Sequence, residues 1–438
     1  MRKFPPCLLL FLMANLASNG LQAGEAKPLT LSAAKEMALK QHPRISAAEL
    51  EALAAKQVVS QVRSLFYPSL SFNATAAGTS QENTRVAAGA LNNPAIYERQ
   101  ADGLVFSQLI TDFGRTSHLT KTSQFRARAA DKNAEATREQ ILMEVEAAFF
   151  NALKAQSVLE VSRQTLTTRQ LLLDQVAVLA TNKLKSELDV SFARVAREEG
   201  RLLVAKADND LKSAFATLSV LLGVRDETNF QLVQDPGSAP PAPPATDGLV
   251  PTALAQRPDL VRLRLESDAA AQFARAEKGL RYPTLSAFGT GGLIPLRDPA
   301  FQKDYAAAGV NLNFPLFTGG LFRARQREAE LRVAAAQERL REAENEVIRQ
   351  VRVAGLNVQY AFDRLSLTEQ LRQSSRQAFE LAQARYRLGS SSIVELSQAQ
   401  LNLTQAEIER ASAGFDFQIQ RALLNYAVGA SSVTGAKP

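Results

Sequence analysis

The sequence predicts a mainly α fold in which two very long helical hairpins carry four β-strands, built by doubling one unit. Three observations predict it. Arg115 to about Lys183 is one helical pattern with no glycine or proline inside it. That is far beyond an ordinary globular helix and on the order of 100 Å long at a rise of about 1.5 Å per residue. A second long helix runs from Leu321 to the turn Leu388-Gly389-Ser390-Ser391-Ser392. Before each rod lie segments of period-two alternation that read as strands.

The N-terminus reads as a secretory signal over residues 1–23. Arg2 and Lys3 precede the apolar run Leu8 to Leu16, and small residues lead to a cut after Ala23 or Ala26. The only cysteine, Cys7, lies in this segment, so the mature chain would have no disulfide, thiol chemistry or lipidated cysteine. The net charge of +7 includes the two signal cations. Elsewhere Lys and Arg alternate with Glu and Asp, as from Arg323 to Arg341, which is the pattern of a solvated helix face and not of a nucleic-acid stripe. Eighteen consecutive apolar residues occur nowhere, so a membrane crossing would have to use strands in a closed barrel.

In chain order, a short helix over Leu29 to Gln41 is ended by His42-Pro43. A second, Arg44 to Phe66, stops at Tyr67-Pro68, because the residue before proline is pushed towards extended geometry. Leu70, Phe72 and Ala74 then alternate with Ser71, Asn73 and Thr75 in a strand. After a loop from Gly78 to Asp102 comes a second strand from Gly103 to Thr111. The first rod follows, then a polar turn from Asn182 to Ser186 and a helix from Glu187 to Leu222 ended by Gly223. Residues 224–250, with the run Asp235 to Pro244, read as an extended linker.

The second half repeats the first. Tyr67-Pro68-Ser69-Leu70-Ser71 returns as Tyr282-Pro283-Thr284-Leu285-Ser286, an offset of 215 residues. From the rod onward the offset is 206: Gly114 matches Gly320, Asp189 matches Glu395 and Gly223 matches Gly429. The difference falls in the loop from Gly291 to Tyr305, and loops accept deletions where helical registers do not. The units are therefore residues 24–223 and 251–430, with a tail over 431–438. Within a unit the two shorter helices together match the rod in length, so they are expected to stack end to end beside it, giving four columns. In the second rod Ala336, Leu340, Ala343, Val347, Val351, Ala354, Val358, Ala361 and Leu365 form the packing stripe, at a spacing near 3.6 that keeps the rod straight.

Four strands cannot close a barrel, and an open sheet edge cannot face lipid, so a membrane role requires oligomerisation. The competing reading is a small soluble sheet capping a helical bundle. Tyr67, Tyr282, Phe106, Phe314 and Phe317 fall near strand ends, where an interfacial aromatic belt would lie. For catalysis the signals are poor. His42 and His118 lack metal-ligand spacing, Gly289-Thr290-Gly291-Gly292 lacks the full dinucleotide fingerprint, and Glu198 and Glu199 read as helix surface. No enzyme, cofactor or metal is expected.

The duplicated plan, together with Tyr386-Arg387-Leu388-Gly389 and the following Ile393-Val394-Glu395-Leu396-Ser397-Gln398-Ala399-Gln400, resembles the outer-membrane efflux protein family, the TolC-like channels. The resemblance covers nearly all of the mature chain. It implies a homotrimer whose twelve strands share one β-barrel in outer-membrane lipid and whose helical columns form a periplasmic α-barrel. Such channels are passive ducts that work with a periplasmic adaptor (a membrane fusion protein) and an inner-membrane pump. Arg257-Pro258-Asp259-Leu260 and the alanine-rich helix after it look most like members serving proton-driven drug or metal pumps. The outer-membrane component of type I protein secretion is the alternative within the family. A periplasmic helical scaffold or adaptor is the rival of another class, although an adaptor would show one hairpin inside β-rich domains.

The resemblance also assigns residues at the two turns. Glu395 matches an acidic ring at the periplasmic constriction, where three carboxylates would favour cations; the plain alternative is a solvated helix carboxylate. Gln398, at the neighbouring ring position, departs from the family. Tyr386 and Asp189 match the partners of a hydrogen bond that holds the entrance shut, and Ser391 stands where the family example has a basic residue. Asn182, Lys183 and Leu184, with Leu388, Gly389 and Ser390, are expected adaptor contacts. Lys183 occupies the place of Gly389. A left-handed lysine there would cost about 1 kcal/mol, unless Asn182 takes that conformation instead.

Overall fold

The computed structural model describes residues 27–77, 87–88, 91–92, 99–224, 230–233, 248–296 and 302–430. The expected signal segment, the proline-rich run and the C-terminal tail lie outside them.

The two rods are α3 (Arg115–Thr181) and α7 (Leu321–Arg387), each of 67 residues. Both start from a pair of left-handed residues, Phe113 and Gly114 in the first repeat and Gly319 and Gly320 in the second. Both end in the same capping motif. The Lys183 and Leu184 N–H groups donate to the Ala180 and Leu179 carbonyls, and the Gly389 and Ser390 N–H groups to those of Tyr386 and Arg385. This pairing satisfies the last carbonyls of a helix and needs a left-handed residue just past its end. The return helices are α4 (Glu187–Leu221) and α8 (Ile393–Val428), capped by Ser186 and Ser392.

Before the strands lie α1 (Leu31–Gln41) and α2 (Pro43–Arg63), the latter extended by a 3-10 turn over Ser64–Phe66. Their counterparts are α5 (Leu249–Gln256) and α6 (Pro258–Gly279). In each repeat the short helices and the return helix lie along one rod, as the segment lengths predict, and α3 also packs on α6 and α8. Four columns result, in the order α2 with α4, α3, α6 with α8, α7. The predicted α7 stripe is buried or half-buried throughout. Cores repeat accordingly: Ile141, Val145 and Phe149 meet Ala38 and Leu218 in one repeat, and Val347, Val351 and Val358 meet Leu260 and Phe417 in the other. A third core, including Leu172, Val176, Tyr386 and Leu396, lies at the turns.

A short ladder falls inside the expected linker. β6 (Phe230–Leu232) pairs in parallel with β1 (Lys27–Leu29), just before α1.

The main sheet is antiparallel, in the order β2 (Ser69–Ala77), β5 (Arg99–Thr111), β7 (Thr284–Leu296), β8 (Asp304–Asn313). A two-residue ladder, β3 (Ala87–Ala88) with β4 (Leu91–Asn92), lies apart from it. The sheet has two chemically different faces. On one, Leu70 and Phe72 stand opposite Phe106 and Leu104, these opposite Gly289 and Gly291, and these opposite Ala308 and Ala306. Leu285 beside Leu312 and Ala287 beside Val310 continue the apolar surface. The other face is mixed, with Ser69, Ser71, Asn73, Ser107, Thr290, Ser286 and Asn311 alongside Val105, Phe288 and Ala307.

Two expected loops are shorter than the sequence suggests. β5 begins at Arg99, within the stretch assigned to the loop ending at Asp102, and β7 runs to Leu296 through the glycines taken as loop. The reason is close approach: Gly292 pairs with Gly103, and the Tyr305 hydroxyl lies across both, so a methyl at either glycine would collide with it. Glycine inside a strand often marks such a close approach. Tyr67, Tyr282, Phe314 and Phe317 are exposed at strand ends, and Phe113 stacks near Tyr282 with ring centroids 5.9 Å apart. Phe106 instead sits in mid-strand on the apolar face.

Candidate functional site: the hairpin tips

The tips bring together residues from both repeats. Tyr386, in the last turn of α7, is buried, with 3% of its surface exposed. Lys185, in the turn between α3 and α4, places its ammonium 3.8 Å from the centre of the Tyr386 ring and donates to the Tyr386 carbonyl at 3.1 Å. One lysine thus ties the first tip to the second rod by a cation–π contact and a charged hydrogen bond. Burial, and then the nearby Asp189 carboxylate, push the Tyr386 phenol up to about 12.

The expected hydrogen bond between Tyr386 and Asp189 is not formed. The Tyr386 hydroxyl has no partner among the described residues. Asp189 is engaged in its own helix, accepting from the Ser186 N–H (3.0 Å) and hydroxyl (2.8 Å) while its N–H donates to Ser186 Oγ (3.2 Å). This reciprocal cap satisfies the start of α4 and leaves Asp189 acting on Tyr386 through its charge alone.

Glu395 is exposed in the first turn of α8, its N–H donating to the capping Ser392 Oγ. Its carboxylate accepts from Arg385 Nη1 at 3.0 Å and from the Ser391 hydroxyl at 2.8 Å. The negative charge expected at the constriction is therefore matched by a guanidinium of the same hairpin. Ser391, in the place of the family's basic residue, serves Glu395. Gln398 donates to Asn402 Oδ1 one turn along α8, at 3.0 Å.

Lys183 takes the left-handed conformation (φ +56°), as Gly389 does (φ +76°). Asn182 keeps a negative φ and donates from its side chain to the Val178 carbonyl. Leu184 and Leu388 are two of the most exposed leucines of the chain, one apolar point on each tip beside Ser390.

Sequence reasoning missed Lys185 and Arg385. Lys185 stands 206 residues before Ser391, so the repeat offset could have flagged it as the cation of the pair of turns. The histidines are far from the tips and from each other. His42 is buried, its Nδ1 accepting from the Arg44 N–H, and burial followed by the Arg44 charge lowers its pKa. His118 Nδ1 lies 2.9 Å from Gln272 Oε1.

Known proteins share this architecture. The chain is 26% identical to the outer membrane protein TolC of Vibrio cholerae over 339 residues, covering 75% of this chain and 76% of that one. Against TolC of Escherichia coli it is 23% identical over 412 residues, covering 90% and 82%. A membrane protein from Pseudomonas aeruginosa superposes with a TM-score of 0.79 at 24% identity, covering 91% and 93% of the two chains. The outer-membrane channel OprN gives 0.81 at 19%, covering 91% and 89%. The family model described as outer membrane efflux protein matches residues 15–224 and 249–430, nearly the whole chain, and this protein belongs to that family of outer-membrane channels.

Proposed function

We propose that three copies of this chain form the passive exit duct of a tripartite efflux assembly. In this reading residues 1–23 are removed on export, the repeats 24–223 and 251–430 build the wall, and 224–250 joins them. Twelve strands close one barrel through outer-membrane lipid, while the rods extend into the periplasm. The tips meet a periplasmic adaptor, and an inner-membrane pump supplies energy and chooses the cargo.

One observation carries the proposal: one face of the sheet is mainly apolar and the other holds most of its hydroxyl and amide side chains, yet the outer edges of β2 and β8 are unpaired among the described residues. An open edge is excluded from lipid, whereas copies joined edge to edge satisfy it, with the apolar face outward and the polar face lining water. The exposed aromatics at the strand–helix junctions fit a headgroup layer on the rod side. The test is fractionation followed by sizing and conductance. The mature chain should resist salt and carbonate washes, need detergent for release, run as a trimer, and conduct ions in planar bilayers. A monomer that washes off in salt would instead support the periplasmic scaffold.

A further inference from the structure

We infer that the Tyr360 hydroxyl of one copy donates a hydrogen bond to the Asp210 carboxylate of the next, in a contact that lays the bare face of α7 against α4 of a second copy. This rests on the oligomeric reading above.

Inside one chain the two repeats meet where α3 packs on α8, and Lys154 Nζ binds Asp416 Oδ1 there at 3.0 Å. The 206-residue offset turns Lys154 into Tyr360 and Asp416 into Asp210. The same step carries a covered stripe onto a bare one. Phe150, Lys154, Val161 and Thr165 of α3 are buried or half-buried. Their equivalents Leu356, Tyr360, Leu367 and Leu371 on α7 are 70%, 65%, 59% and 50% exposed. The opposite surface behaves alike: Ile408 and Phe415 of α8 are half-buried, while their equivalents Leu202 and Asn209 on α4 are exposed.

The two bare faces are thus the separated halves of an interface that the chain already makes once. They belong to opposite edge columns, so the partner of each is a second copy, related by the same step that relates the repeats.

Side-chain chemistry at the junction agrees. A tyrosine hydroxyl stands about as far from its backbone as a lysine ammonium, so Tyr360 can reach where Lys154 reaches. Asp416 also holds Arg364, at 3.2 Å, but Val158 occupies the Arg364 position in the first repeat. Asp210 lines a cleft with Lys154, Arg364 and Asp416, and no hydrogen bond or ion pair joins it to any of them. One turn from Tyr360, Leu356 has an apolar groove to fill, lined by Met143, Ala147, Ala216 and Val220. In the second repeat, side chains on α8 such as Phe415 and Ile419 pack against the core that contains Phe150, the equivalent of Leu356.

The test uses the full chain in detergent, in a Cys7→Ala background. Tyr360→Cys with Asp210→Cys, treated with a short bis-maleimide, should give linked dimers and trimers on a denaturing gel, several-fold above either single variant. Separately, Tyr360→Phe and Asp210→Ala should each lower the dissociation temperature of the oligomer by about 2–4 °C, and the double variant by no more than the larger single shift. Additive shifts, or no linkage in a sample that amine cross-linking shows to be trimeric, would overturn the contact while leaving the trimer standing. A sample that stays monomeric under both reagents would overturn the contact and the oligomeric reading together.

Discussion

Lys183 and Gly389 hold the same left-handed geometry at equivalent turns, and only one of them is suited to it. Lys183→Gly should therefore stabilise the first tip by up to about 1 kcal/mol, read as slower hydrogen exchange of the Lys183 and Leu184 amides. Gly389→Lys should lose a similar amount at the second. With the tips as the proposed entrance, Arg385→Ala should leave Glu395 without its cation and raise cation preference, while Glu395→Ala should leave Arg385 without its carboxylate and lower it. Reversal potentials across a salt gradient measure both, and parental values in both variants would remove the pair from the conducting path. Tyr386 gives a pH test. Its pKa is raised to about 12 in the folded tip, above the ordinary value of about 10. Its contribution is thus fully present below pH 10 and is lost as pH rises towards 12. Ultraviolet titration should show a late phenol that is absent in Tyr386→Phe, distinct from that of Tyr426, which burial also raises. Tyr386, Asp189 and Glu395 do lie at the tips, where the resemblance put them, but their bonds were not legible in the sequence. Asp189 had a nearer partner in Ser186, and Lys185 and Arg385 reach theirs only because the capped turn folds back over the last helical turn.

Helices and strands differed in how plainly they could be read. The rods were legible almost to the residue, since a long unbroken apolar period has one interpretation and a polar turn closes each of them. Return helices announced themselves by Ser186 and Ser392. The outer ends of β5 and β7 were not legible, because Arg99 to Asp102 carry no apolar alternation and Gly291 and Gly292 look like loop until Tyr305 is seen lying over Gly292. Nor was the β1–β6 ladder, since three residues carry no period. The glycines make a prediction of their own. Gly103→Ala should force Tyr305 off the sheet and impair barrel closure, seen as loss of the heat-resistant oligomer on gels; Gly114→Ala, where a methyl meets nothing, should keep that oligomer and show only local strain from its positive φ.

The described residues form a row of four helical columns and a sheet of four strands, and each has two free edges. What a single copy leaves open recurs at each level, as an unpaired strand edge in the sheet and as bare leucines on α4 and α7. A consequence follows from the two rods having 67 residues each. Deleting one residue from either alone would rotate everything beyond it by about 100° and draw back its tip by about 1.5 Å, misaligning Lys185 with Tyr386. The chain can be lengthened or shortened only by matched edits of near-whole turns, about 18 residues at a time for five turns. Its reach from the lipid is written twice in one polypeptide, and neither copy can be revised alone.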